Sequence, residues 1–226
     1  MRYEIHGDVL PSVDVWLDKG ESVYTERGGM AWMKGDIDMN TNTRGGLLAG
    51  LGRALAGESL FMTTYTSKGD QALVTFTPEA PGRILGIELA AGQSLICQKD
   101  AFMAAQEGVK MEIAFSKRLG AGFFGGEGFI LQRITGPGVV WLEIAGDVRE
   151  YDLASGEVMR IDPGHIAMYD DGVDYSIETV RGVKNVLFGG EGLFLATLRG
   201  PGRIWLQTMP LNNLAAKIAQ YIPSKG

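Results

Sequence analysis

The stretch Leu17-Asp18-Lys19-Gly20-Glu21-Ser22-Val23 occurs in three related forms in this chain of 226 residues. The second form is Leu89-Ala90-Ala91-Gly92-Gln93-Ser94-Leu95, and the third is Leu153-Ala154-Ser155-Gly156-Glu157-Val158-Met159. Counted from the central glycine of each form, apolar residues recur at the same offsets. Such a repeat is typical of a supersecondary unit that must pack against its copies to bury its apolar face.

A second block follows each copy and begins at Gly57, Gly126 and Gly190. The first copy is three residues longer than the others, which predicts an insertion between Thr43 and Gly57. A leucine stands sixteen residues beyond each leading glycine, and the equivalent positions are taken to be Leu73, Leu142 and Leu206. The register of the two blocks predicts three repeats, at approximately 15–78, 87–146 and 151–210.

The patterns within each repeat are those of strands. Val139, Trp141 and Glu143 alternate with apolar residues, which is the period of a strand with two faces. The 33 glycines stand between such runs, as expected of many short strands joined by tight turns. We therefore predict one all-β domain over residues 1–226, with the three units in a pseudo-threefold arrangement.

Only the tail has helical spacing. Leu214, Ile218 and Ile222 share one face and predict a short C-terminal helix at approximately 211–222. We expect this helix to dock on the chain's own β structure, with contact to another surface as the alternative.

Composition excludes several classes of function. The net charge is −6 and no run of Lys or Arg occurs, which disfavours nucleic acid as a partner. Cys97 is the single cysteine, so no internal disulfide framework can form. The sequence shows no signal-peptide pattern and no apolar run of the ~20 residues that span a bilayer. These features predict a cytoplasmic protein, with peripheral attachment to a membrane as the alternative.

Three features could indicate a dinucleotide site, a metal site or a catalytic cysteine, but a purely structural role explains each of them better. Residues 120–125 fit the dinucleotide pattern G-x-G-x-x-G, but they lead into a predicted strand rather than a helix. His6 and His165 are isolated, whereas metal sites use clustered ligands. Cys97 falls on an apolar face with no base near it in the sequence, which predicts a buried core residue.

Two sets of residues remain as candidate sites. Glu58, Glu127 and Glu191 recur at one place in each repeat and could converge on a pseudo-axis to bind a cation, although turn capping or exposure to solvent is favoured. Residues 45–57 are apolar and rich in glycine. This segment either folds over one end of the β structure or offers a surface for self-association or for a membrane, through Leu47, Leu48, Leu51 and Leu55.

The assembled blocks resemble a known family. They comprise the glycine-rich segment 45–53, the blocks 57–61, 124–128 and 188–192, and the Gly-Pro-Gly turns at 136–138 and 200–202. From about Tyr3 to Pro210 the chain resembles the bacterial relatives of the altered-inheritance-of-mitochondria family. The resemblance implies a double-stranded β-helix-like fold akin to that of the tryptophan RNA-binding attenuator protein. It supplies no catalytic residue, and a shared fold does not transfer tryptophan or RNA binding.

These observations favour a non-enzymatic scaffold or assembly factor that forms homo-oligomers and uses no cofactor. The alternative is a protein that binds a small ligand in a pocket between the repeats, lined by Trp32, Trp141 and Trp205. An enzyme with a carboxylate or metal centre at the three recurring glutamates ranks last.

Overall fold

The computed structural model of the protein describes residues 1–26, 29–42, 62–117, 128–180 and 193–222. The described chain is almost entirely β structure. It begins with β1 (Arg2–His6). The next six strands are β2 (Ser12–Leu17), β3 (Ser22–Glu26), β4 (Met30–Lys34), β5 (Ile37–Asn42), β6 (Met62–Ser67) and β7 (Ala72–Phe76).

Two further sets of six strands follow. The second set is β8 (Gly82–Leu89), β9 (Ser94–Gln98), β10 (Phe102–Gln106), β11 (Lys110–Lys117), β12 (Phe129–Thr135) and β13 (Gly138–Ala145). The third set is β14 (Val148–Leu153), β15 (Val158–Ile161), β16 (Ile166–Asp170), β17 (Asp174–Val180), β18 (Leu193–Arg199) and β19 (Gly202–Gln207). The chain then forms helix α1 (Leu211–Ala219). For the described part of the chain, the all-β class with a short C-terminal helix is confirmed.

The strands of the described residues form four sheets, which we call A to D. Sheet A has the order β1-β2-β7-β4, and sheet D has the order β15-β18-β17. Sheet B has the order β5-β6-β3-β10-β13-β8, and sheet C has the order β11-β12-β9-β16-β19-β14. Sheets B and C therefore each combine three strands from one set with three strands from the next.

The three sets of six strands share one pairing pattern. Within every set the fifth strand pairs with the second and the fourth, and the sixth strand pairs with the first and the third. The second strand of one set then joins the third strand of the next, at β3–β10 in sheet B and at β9–β16 in sheet C. The pseudo-threefold arrangement of the whole chain stays a prediction, as does the single-domain assignment.

The chain divides into two compact units. The first comprises Met1–Ser94, Asp100–Met111 and Ile134–Ile144, and the second comprises Leu95–Lys99, Glu112–Arg133 and Ala145–Gly226. Each unit has its own apolar core. The core of the first unit includes Val13, Val15, Leu17, Val23, Tyr65, Val74, Phe76, Met103, Ala104 and Trp141. The core of the second includes Ile96, Phe129, Leu131, Leu153, Ile166, Tyr169, Ala196, Leu198 and Ile204.

Strand periodicity places side chains in these cores. In β2 the residues Val13, Val15 and Leu17 are buried and alternate with half-buried ones, as expected of a strand that faces the core on one side. In β13 the residues Val140, Leu142 and Ile144 are buried, and the alternating set is half-buried except for Trp141, which is buried. The alternation in the sequence therefore predicted the strands correctly.

The repeated stretches form turns of the same geometry. Gly20, Gly92 and Gly156 have φ values of 86°, 80° and 79°, a left-handed conformation that glycine adopts without strain. The backbone N–H of the residue after each glycine donates to the carbonyl oxygen three residues earlier. The side chain of that same residue, Glu21 or Glu157 in the outer repeats, accepts a hydrogen bond from the backbone at the start of the turn.

The strand register corrects one equivalence between the repeats. The first residues of β4, β10 and β16 pair with Phe76, Leu142 and Leu206. Phe76, not Leu73, is therefore the counterpart of the two leucines. The difference arises in the turn before the last strand of each set. Residues 68–71 separate Ser67 from β7, whereas Pro137 alone separates the equivalent residue, Gly136, from β13.

Gly200 lies where the chain approaches itself closely. A Cβ atom there would lie 2.6 Å from the carbonyl oxygen of Leu153 and closer still to that of Ala154. We expect Gly200→Ala to lower the free energy of unfolding by about 2–3 kcal/mol, because neighbouring backbone must move. Gly172→Ala is the control, since its nearest neighbour would be 3.8 Å away. Denaturant titration checks both, and equal stabilities would contradict the expectation.

Helix α1 differs from the prediction in length and in packing. It ends at Ala219, and none of its residues is buried. Ile218 is 50% exposed, so the apolar face is not docked on the chain as expected. The helix contacts the fold chiefly near the short 3₁₀ turn Pro163–His165. A nine-residue helix held near one end leaves its apolar face open to solvent.

Candidate functional site

The residues predicted as sites lie outside the described part of the chain. This holds for the candidate interaction loop of Leu47, Leu48, Leu51 and Leu55, and for the recurring carboxylates Glu58, Glu127 and Glu191. Both hypotheses therefore stay predictions. Among the described residues, no group of three or more His, Cys, Asp and Glu side chains is arranged to hold a metal ion.

The three tryptophans proposed to line a pocket have different surroundings. Trp141 is fully buried in the core of the first unit, and the edge of its ring meets Tyr3 with centroids 5.4 Å apart. Trp32, on β4, is 52% exposed. Trp205, in the second unit, lies beside the guanidinium of Arg203 at 5.4 Å. Trp141 is thus a core residue with no surface to offer a ligand.

The histidines and the cysteine occupy the structural positions expected of them. His6 is exposed, with Nε2 3.6 Å from Asp14 Oδ2. His165 ends a 3₁₀ turn, and its Nδ1 lies 2.8 Å from the carbonyl oxygen of Gln207. A carbonyl oxygen only accepts, so this nitrogen carries the hydrogen. Cys97 is fully buried, which confirms its assignment to the core.

Glu143 is a strongly perturbed carboxylate. It lies on β13 between apolar neighbours, and burial raises its pKa to about 8. A hydrogen bond of 2.7 Å, donated to Oε2 by the backbone N–H of Glu79, opposes this shift. The carboxylates of Glu79, Asp100 and Glu26 add to it by repulsion. Near neutral pH this side chain therefore holds a proton inside the fold.

Gln132, on β12, is fully buried, and neither its Oε1 nor its Nε2 has a hydrogen-bond partner in the described structure. Buried polar groups are nearly always paired, so this amide destabilises the fold as it stands. We expect Gln132→Met, which has a similar shape, to raise the free energy of unfolding by about 1–2 kcal/mol. Thermal and denaturant unfolding check this. A loss of stability would mean that the amide has a partner in solution.

Five of the described edge strands, β1, β4, β5, β14 and β15, carry exposed apolar side chains, and we single out β4 and β15. Strand β4 ends sheet A, and its Trp32 and Met33 are exposed. Strand β15 ends sheet D, and its Val158 is exposed. The outer side of an edge strand presents unpaired N–H and C=O groups and is a template for pairing with another strand. These two edges, which we call the β4 edge and the β15 edge, are the candidate interaction surface.

A cavity of about 560 Å³ lies in the first unit beside β4. It is lined by Met1, Arg2, Trp16, Asp18, Lys34, Gln71 and Leu73. The Arg2 guanidinium stacks over the Trp16 ring at 4.1 Å. Arg2, whose guanidinium also pairs with Glu4 at 3.1 Å, and Lys34 bring cationic groups to this cavity, and Asp18 brings a carboxylate.

Neither the β4 and β15 edges nor Glu143 was identified from the sequence. A single carboxylate within the apolar run of β13 is a signal that could have identified Glu143. No signal of this kind marks the β4 edge, because β10 and β16 are equally apolar in sequence and are buried. No helix among the described residues is long and apolar enough to cross a membrane.

Comparisons with known proteins extend the resemblance noted in the sequence. The model of the Mitochondrial biogenesis AIM24 family matches residues 3–209. The "Uncharacterized protein M6_Spy0233" of Streptococcus pyogenes serotype M6 is 30% identical over 233 residues, which covers 99% of this chain and 92% of that protein. The X-ray crystal structure of protein SPYM3_0169 from Streptococcus pyogenes is 28% identical, with a TM-score of 0.78 over 98% of this chain and 99% of that one. This chain therefore belongs to the Mitochondrial biogenesis AIM24 family.

Proposed function

We propose that this protein is a non-enzymatic scaffold that acts by self-association into homo-oligomers. The observation that carries the proposal is the exposure of large apolar side chains on β4. Trp32 and Met33 are 52% and 40% exposed, whereas Ala104 and Ala105 of β10, and Met168 and Tyr169 of β16, are buried. Apolar side chains clustered on an unpaired edge strand mark an interaction site.

The proposal also agrees with the structural roles of the histidines, the cysteine and Glu143 among the described residues. Among the described residues, Cys97 is buried, the two histidines lie apart, at the end of β1 and in a 3₁₀ turn, and Glu143 keeps its proton. A scaffold needs surfaces that bind other protein molecules rather than a nucleophile and a base. The absence of an enzymatic activity remains part of the proposal.

Light scattering and sedimentation velocity of the full chain, over about a hundredfold range of protein concentration, test self-association. The expected result is a mass above that of one chain, which decreases on dilution. A mass equal to one chain at every concentration would end the proposal.

Attachment to a membrane surface is an extension of this proposal, carried by helix α1. Ile218, Tyr221 and Ile222 are exposed near the C-terminal end, and Lys217 lies beside them. An apolar face with a basic residue is suited to an anionic bilayer surface. Flotation with vesicles of phosphatidylcholine and phosphatidylglycerol tests it. Ile218→Glu should abolish flotation and Asn213→Glu, on the polar face, should not; flotation unaffected by Ile218→Glu would contradict the extension.

The cavity beside β4 favours a second candidate function, the binding of a small anionic ligand through Arg2 and Lys34. Inorganic phosphate and citrate serve as probes in calorimetry. Binding that is lost in Lys34→Gln and kept in Lys68→Gln would support this candidate, because Lys68 is exposed and lies outside the cavity. Binding unchanged in Lys34→Gln would remove it.

A further inference from the structure

We propose that strand β4 of one molecule pairs antiparallel with strand β15 of a second copy, so that sheet A of one chain continues into sheet D of the other. The inference rests on the proposed self-association and names the contact that forms it. It is argued from the strand pairings, from the burial of equivalent strands and from the residue register.

The chain already contains this contact twice. In sheet B, β3 pairs with β10, and in sheet C, β9 pairs with β16. Both junctions are antiparallel, and each joins the second strand of one set of six to the third strand of the next. The second strand of the last set is β15 and the third strand of the first set is β4, so these two strands alone lack the junction among the described strands.

Sheets D and A have the composition of two half-sheets. Sheet D, in the order β17-β18-β15, corresponds to the half β5-β6-β3 of sheet B. The strands β4-β7-β2 of sheet A correspond to the half β10-β13-β8. Each half ends on the strand that forms the junction in sheets B and C. Joining the β15 edge to the β4 edge therefore produces a third sheet of the same design, extended by β1.

The side chains at the two edges also fit a strand partner. At the internal junctions the residues of β10 and β16 from Phe102 to Ala105 and from Ile166 to Tyr169 are buried. On β4 the corresponding Trp32 and Met33 are exposed, and on β15 Val158 is exposed. A strand pair would cover these side chains and also satisfy the outer backbone N–H and C=O groups.

The internal junctions fix the register of the proposed contact. Ala104 pairs with Thr25, and Met168 pairs with Cys97. Counted from the turn glycines, Trp32 occupies the position of Ala104 and Met168, and Ile161 occupies the position of Thr25 and Cys97. Trp32 therefore lies opposite Ile161, and Met33 opposite Arg160, of the second copy. The next pair is Lys34 opposite Met159.

This contact joins unlike surfaces, so each molecule uses one β4 edge and one β15 edge. Head-to-tail contacts of this type close into rings when the rotation between copies permits and otherwise extend as filaments. Assemblies of more than two copies are therefore expected, with both edges occupied in a closed ring.

Cysteine cross-linking tests the register directly. Chains carrying Met33→Cys are mixed with differently tagged chains carrying Arg160→Cys and are oxidised. Residues directly opposite on paired strands have Cα atoms about 4.5–5.5 Å apart, within the range that a disulfide spans. The expected product is a covalent dimer that contains one chain of each type.

Two controls accompany this experiment. Mixing Met33→Cys with Val158→Cys places the cysteines two residues out of register, at about 7–8 Å, and should give at least tenfold less of the mixed dimer. The unaltered chain should give no covalent dimer, because its single cysteine, Cys97, is buried.

Two cross-linking results would overturn the proposal. One is a Met33→Cys chain that couples only to itself, which would indicate pairing of two β4 edges. The other is a chain with both Met33→Cys and Arg160→Cys that forms the disulfide within one molecule, which would indicate closure of the edges on themselves.

A charge variant separates failure of this contact from failure of self-association. Met33→Asp should weaken association by about tenfold or more, because a carboxylate would be desolvated in the strand pair. Ile5→Asp is the matched control, since Ile5 is also 40% exposed and lies on β1, at the opposite edge of sheet A. Association that is unaffected by Met33→Asp would overturn the edge contact and leave the scaffold proposal standing. A strict monomer would end both.

Discussion

Replacing Trp141 with alanine should lower the free energy of unfolding by about 3–5 kcal/mol, because the indole is fully buried in the core of the first unit. The ring packs with Met103 and Ala104 and meets Tyr3 edge to face. Truncation removes this apolar contact and leaves a cavity that a sheet core cannot readily collapse to fill. Denaturant titration followed by circular dichroism measures the loss.

Two further variants show whether packing is the cause. Trp141→Phe should cost clearly less than Trp141→Ala, since most of the ring volume remains and Nε1, which has no hydrogen-bond partner in the described structure, is removed. Tyr221→Ala, at an exposed aromatic residue, should change stability by less than about 0.5 kcal/mol. Equal effects of Trp141→Ala and Tyr221→Ala would contradict the placement of Trp141 in the core.

Replacing Glu143 with glutamine should stabilise the protein at alkaline pH and flatten its pH dependence. The pKa of Glu143 is raised to about 8 by burial, from an ordinary value of 4.5. Between these two values the native state holds a proton that the unfolded chain has lost. The free energy of unfolding therefore falls as the pH rises from about 4.5 to 8, and the full loss is present above pH 8.

The expected gain for Glu143→Gln is about 1–3 kcal/mol at pH 8.5 and little at pH 4. This range is smaller than the full pKa shift would give, because the side chain is partly exposed and screened by solvent. The amide oxygen can still accept the hydrogen bond from the Glu79 backbone. Chemical denaturation at several pH values measures the gain, with Glu88→Gln at an exposed carboxylate as the control. A gain that is the same at pH 4 and pH 8.5 would contradict a protonated Glu143.

Local features of the fold were accessible from the sequence. The repeat was recognised from the stretches around Gly20, Gly92 and Gly156, and in the structure all three glycines adopt the same left-handed conformation. The alternation in β13 predicted a strand, and the position of Cys97 predicted a core residue. These features depend on residues near in sequence, whose conformational preferences do not require knowledge of a distant partner.

Features that depend on distant partners were less accessible. The helix was predicted, but its apolar face proved to be exposed rather than docked. The equivalence of Leu73 with Leu142 failed because counting along the chain cannot detect extra residues in a turn, whereas hydrogen-bonded register can. The role of residues 43–61, which hold the predicted interaction loop, stays a prediction.

By itself, the sequence determined the all-β class, the recurrence of the glycine-containing stretches and the alternation that places apolar side chains on the faces of strands. The tertiary structure decided which strand lies at an edge and which carboxylate is desolvated. The strands β4, β10 and β16 have similar apolar sequences, yet β10 and β16 each have a neighbour on both sides and β4 has one. Exposure is set by pairing partners contributed by distant parts of the chain, so no local pattern in β4 distinguishes it from its buried counterparts.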